Sequence, residues 1–165
     1  VGPMSSAVER AMRGRGTWSM DAMAALEQRA GDARLMIARA DAEAADVLAP
    51  WRGASIVPPH DAYSRYVARF GVSVAAVVQP IEAAEPTPGQ IAEAVRAVEA
   101  AGAGAIFVEP QYPSSAATRV AEVTGAALGE LDPLGDGDWS ATYVGLARSI
   151  AETLEVAPGA VGSGG

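Results

Sequence analysis

The sequence predicts an α/β fold: a single lobe with a four-stranded parallel sheet flanked by helices, preceded by one long N-terminal backbone helix. Three observations carry that expectation. From residue 54 onward, short apolar runs alternate with stretches of helical periodicity, a pattern that implies parallel strands joined by right-handed crossovers. Ahead of them, Met23, Leu26, Ala30, Ala33, Ile37, Ala40, Ala44 and Val47 recur every three or four residues with charges between them, which is one apolar helix face. Half of the 165 residues are apolar while only 5% are aromatic, a balance suited to helices packed closely on a sheet through small side chains.

In chain order, residues 1–16 read as a flexible leader, and the opening "VGPM" as a processing remnant. The linking helix is expected over 17–49, stopped by Pro50, with Gly31 weakening its midpoint. At about 1.5 Å per residue it would span roughly 40 Å, long for a small lobe. "ASIV" reads as the first strand. Asp61 to Phe70 follows as a helix capped by Asp61 and stopped by Gly71, and "VSVAAVV" is the second strand. "TPGQIAEAVRAVEAAG" is a helix with Thr87 as N-cap, Pro88 in its first position and Gly102 at its end. "AIFVE" is the third strand, "SSAATRVAEVTG" a helix, "AALGEL" a weaker fourth strand, and Ser140 to Leu154 the last helix. The lobe is therefore expected over 17–155, and 156–165 as a flexible tail.

Composition removes several function classes. Arginine supplies all twelve basic residues and the net charge is -8, so no basic stripe is available to track a phosphate backbone. Nucleic acid is not an expected partner. Without cysteine there are no disulfides, thiolate metal sites or cysteine nucleophiles. The longest apolar runs are too short to span a bilayer, and no signal peptide is recognisable. Ser114 and Ser115 lack the glycines of a nucleophile elbow. "AAGAGA" lies at a helix-to-strand junction, the wrong side for a dinucleotide fingerprint. "DPLGDGD" resembles a calcium loop without the spacing of one. None of these motifs argues for an enzyme.

The polar residues that remain gather at one place. His60, the single histidine, follows the first strand, Glu109 ends the third, and Asp132 follows the fourth. Open parallel sheets bind ligands outside the carboxyl ends of their strands. Each residue also has a plain structural reading: a capping histidine, a hydrogen-bonded glutamate, an aspartate in a turn before Pro133.

Several segments, in one order and spacing, carry a resemblance: "PPHDAYSRYVARFGV", "EAAEPTPGQIAEAV", "AIFVEPQYPSSAATRVAEVTGA", "LDPLG" and "YVGLARSIAETL". Over about residues 18 to 155 the chain resembles the carboxyl-terminal lobe of the metal-binding solute-binding proteins of ABC importers, most of all the zinc-binding subgroup. The resemblance implies that the long helix is the rigid backbone joining two lobes. It implies His60 as the histidine this lobe gives to the metal, Asp132 as a carboxylate ligand, and Glu109 behind them in the second shell. The metal implied is Zn2+, with Mn2+ or Fe2+ as alternatives, since imidazole and carboxylate suit all three. It also implies a periplasmic or extracytoplasmic location, delivery to an ABC permease, and no catalysis.

Two departures qualify it. The two histidines of the family's amino-terminal lobe are absent, as is the asparagine usual in its last helix. The chain therefore reads as half of a binding protein that needs its missing N-terminal lobe, with self-association of the uncovered face expected in its absence. The alternative is a single-lobe interaction or structural module that has lost metal transport.

Overall fold

In a computed structural model, residues 19–77, 87–112 and 115–158 are described. The expected leader lies outside them, as does the tail beyond Pro158. The chain divides into two compact units, 1–38 and 39–165. The first contributes the amino-terminal part of helix α1 (Met20–Leu48), which runs unbroken through Gly31. In the second, α1 buries Ala40, Ala44 and Leu48. These residues, four apart, lie on one helix face.

The rest of the second unit alternates as expected: β1 (Ser55–Val57), α2 (Ser64–Arg69), β2 (Ser73–Val74), α3 (Pro88–Ala101), β3 (Ala105–Val108), α4 (Ser115–Thr124), β4 (Ala127–Glu130) and α5 (Trp139–Val156). All strand pairs are parallel, in the order β2-β1-β3-β4. Strand alternation feeds two cores. Ile56, Ala105 and Phe107 face one way, onto Ala44, Leu48, Val67, Phe70, Ala147, Ile150 and Leu154. Val57 and Ile106 face the other, onto Val98, Ala117, Val120 and Ala121. Helices thus cover both faces, which is why the central strands are apolar on successive residues.

Three expectations are adjusted at the ends of elements. The second strand is shorter than "VSVAAVV": β2 spans Ser73–Val74, and one further ladder bond joins Ala75 N to Ile56 O at 3.0 Å. Among the described residues it is an edge strand, with β1 as its neighbour; Val78 lies outside the described residues. The last helix is longer, running from Trp139 to Val156 with Ala157 buried behind it. The helix after β1 opens with a 3-10 turn over Asp61–Tyr63, and His60 rather than Asp61 is its cap. The expected boundaries of α3 hold. Thr87 and Gln90 form a reciprocal capping box and Gly102 takes the left-handed conformation that ends the helix.

Candidate metal site

The strand order changes direction between β1 and β3. The chain leaves β1 for the edge strand β2, then returns past β1 to lay β3 on its other side. Such a reversal opens a crevice at the carboxyl ends of the two strands. The register decides what stands there. Val57 pairs with Ile106, and His60 and Glu109 each follow three residues later, so parallel pairing carries both to the same level. Val108 pairs with Glu130, which brings the exit of β4, with Asp132, to the adjoining edge.

His60 is fixed on both sides of its ring. Its backbone is extended, and Nδ1 accepts the Ala62 N–H at 3.3 Å, capping the 3-10 turn. Nε2 lies 2.8 Å from Glu109 Oε1. The imidazole keeps 39% of its side chain exposed, whereas Glu109 is 3% exposed. A buried carboxylate with a half-exposed histidine in front of it is the arrangement that orients metal-ligating imidazoles.

Tyr63 was not expected at the site. It lies one helical turn beyond His60, is buried, and donates its hydroxyl to the same Oε1 that faces His60. The two rings lie 5.5 Å apart at a tilt of 34°. Burial first, then the bond to Glu109, holds the Tyr63 phenol far above the usual tyrosine range, and the charge of Asp132 adds to the effect. Tyr63 therefore stays protonated and acts as a donor.

Asp132 is held separately. Its Oδ1 accepts from Gln111 Nε2 at 2.7 Å and from the Leu134 amide at 3.1 Å. The Gln111 bond, then the Leu134 and Gly135 amides, hold its carboxyl below the usual aspartate range. It is thus an anion at neutral pH. Gln111 was also missed; the only sequence signal is its place two residues beyond Glu109, where the exits of β3 and β4 adjoin. The structure bonds Glu109 to His60, and ties Asp132 to Gln111. Among the described residues, no group of three or more histidine, cysteine, aspartate or glutamate side chains is placed to hold a metal ion. No helix of the described residues is long and apolar enough to cross a membrane.

Comparison with known proteins bears on the fold and the family. The family model described as "Zinc-uptake complex component A periplasmic" (ZnuA) matches residues 16–157. The chain belongs to this family. It is 30% identical over 115 residues to the high-affinity zinc uptake system protein ZnuA of Brucella abortus, covering 68% of this chain and 34% of that protein. The chain thus spans about a third of the length of the curated relatives it matches. Among solved structures, the SBP FpvC of Pseudomonas aeruginosa, in complex with Ni2+, is 26% identical, with a TM-score of 0.59 over 77% of this chain and 49% of that one. The Zn(II)-bound ZnuA-like domain of Streptococcus pneumoniae AdcA superposes with a TM-score of 0.61 over 77% of this chain and 51% of that one. At 18% identity, that likeness speaks to the fold alone. The α/β lobe expected from sequence is the fold of this family.

Proposed function

We propose that this lobe contributes His60 and Asp132 to the capture of a divalent transition metal, zinc foremost, for delivery to an ABC permease outside the cytoplasm. One observation carries the reading: the only imidazole stands half-exposed at the switch point of the sheet with a buried carboxylate behind it. A metal reaches His60 by replacing one of the ring's two internal hydrogen bonds, and the other then keeps the ring oriented. Glu109 is assigned to the second shell, because its Oε1 is already engaged by two donors. The role is binding and release, not catalysis.

The donor set favours zinc without requiring it. Imidazole nitrogen and carboxylate oxygen serve Zn2+, Mn2+, Fe2+ and Ni2+, and the FpvC structures hold Ni2+ and Mn2+. Two ligands leave a zinc shell incomplete, since such sites take three or four protein ligands near 2 Å. The remaining ligands are assigned to the part of the receptor that this chain does not span. The chain by itself is then expected to bind zinc weakly. Titration calorimetry with ZnCl2 tests this: His60→Ala should abolish the residual binding, and Asp132→Asn should weaken it less. Tight binding that survives His60→Ala would place the metal elsewhere.

A further inference from the structure

Between His60 and Arg69 the chain makes a stripe of three side chains at intervals of three residues, each bonded to a different element. Tyr63 donates to Glu109 beyond β3, Tyr66 donates to Tyr143 O in α5 at 2.7 Å, and Arg69 pairs with Asp41 of α1. This short segment is thereby anchored along its length, and its first anchor is the carboxylate that faces the histidine. We propose that Tyr63 is a positioning residue of the metal site: by fixing Glu109 Oε1 it selects one tautomer of His60 and so determines how the ring meets a metal. The inference rests on the reading of His60 as a ligand.

The tautomer follows from the partners. Ala62 N–H can only donate, so Nδ1 accepts and carries no proton. A neutral ring then bears its proton on Nε2, which donates to Glu109 at 2.8 Å. That selection needs the carboxylate to stay where it is. Glu109 belongs to a strand end, and its side chain has rotamers that would carry Oε1 away from the ring. The Tyr63 hydroxyl arrives at the same oxygen from a second direction and removes that freedom. Tyr63→Phe takes away the hydroxyl and leaves the buried ring in place, so Glu109 is held by His60 alone. The Ala62 contact, at 3.3 Å, is the longer of the ring's two bonds.

One histidine in the chain makes the test direct. In uniformly 15N-labelled, metal-free protein at alkaline pH, two-bond 1H–15N correlation gives a single imidazole pattern that needs no assignment. The wild type should show the Nε2–H form almost alone, and Tyr63→Phe a mixture of both tautomers. Tyr66→Phe is the control, because it removes a hydroxyl bond from the same stripe that does not reach Glu109; it should keep the wild-type pattern. A wild-type pattern in Tyr63→Phe overturns the proposal, as does an equal change in both variants, which would signify general loosening. With ZnCl2 as the probe, Tyr63→Phe should lose about tenfold in affinity relative to Tyr66→Phe, the scale of other outer-shell changes. The metal-free readout separates the two hypotheses. If the wild type binds no zinc, the ligand role of His60 fails, while the tautomer pattern still decides whether Tyr63 holds the ring.

Discussion

Gly129, in the middle of β4, shows how tightly single residues are fitted beside the site. A methyl group there would run into the Thr153 hydroxyl and come within 2.7 Å of the Phe107 ring. Both neighbours are buried, so neither has room to withdraw. Overpacking of this kind costs about 1–3 kcal/mol, and Gly129→Ala is expected to lower unfolding free energy by that amount in urea titration. An unchanged midpoint would mean that α5 shifts freely away from the sheet. The same scale shows what a linear sequence conceals. The places of His60, Glu109 and Asp132 after strand ends were legible, because strand ends can be read from apolar runs. The 49-residue separation of His60 and Glu109 carries no sign that they touch. The cap was misread because aspartate outranks histidine as an N-cap, while here the imidazole Nδ1 reaches the Ala62 amide first. Tyr63 reads as an ordinary core aromatic until the oxygen it reaches is known.

Elements were more legible than contacts between them, for a physical reason: their ends are set by local chemistry. The α3 capping box and its terminal glycine are both written within a few residues. The start of α5 is also set locally, one residue before the expected Ser140, and its cap Asp138 makes it testable. Its carboxylate accepts from the Ser140 and Ala141 amides at 2.8 and 3.1 Å. The Ala141 amide first, then Ser140, hold its carboxyl below the usual aspartate range. A group whose folded-state pKa is depressed stabilises the protein above its unfolded value and loses that contribution as pH falls through the folded value. Asp138→Ala should therefore be less stable than the wild type at neutral pH. The gap should narrow progressively below about pH 3.9, the ordinary aspartate value, as seen in urea midpoints across the acid range. A gap that stays constant down to the lowest accessible pH would show that the cap acts without its charge. The length of β2 was not legible in the same way. Among the described residues β1 pairs with β2 at Ser73 and Val74, and a run of valines does not announce where that pairing stops.

At the scale of the whole molecule, the chain spans about a third of the length of its curated relatives, and its long helix carries an apolar series of its own. Within the second unit, α1 buries Ala40, Ala44 and Leu48. Within the first, Met23, Leu26 and Ile37, members of the same three-and-four series, are exposed, as are Leu35 and Met36. An apolar stripe on a helix is ordinarily covered, and contiguous exposed apolar surface of this kind drives association. The helix also has few charges to oppose a like partner along that stripe, since its acidic and basic residues fall between the apolar positions. We predict that the isolated chain self-associates as its concentration rises, through this stripe. The double variant Leu26→Glu, Ile37→Glu should remain monomeric at concentrations where the wild type does not, because a glutamate pair would have to be buried in any such contact, unpaired and at high cost. Multi-angle light scattering across a concentration series decides the matter. A wild type that stays strictly monomeric would show that the stripe is not sticky by itself, and association that persists unchanged in the double variant would place the contact on another face.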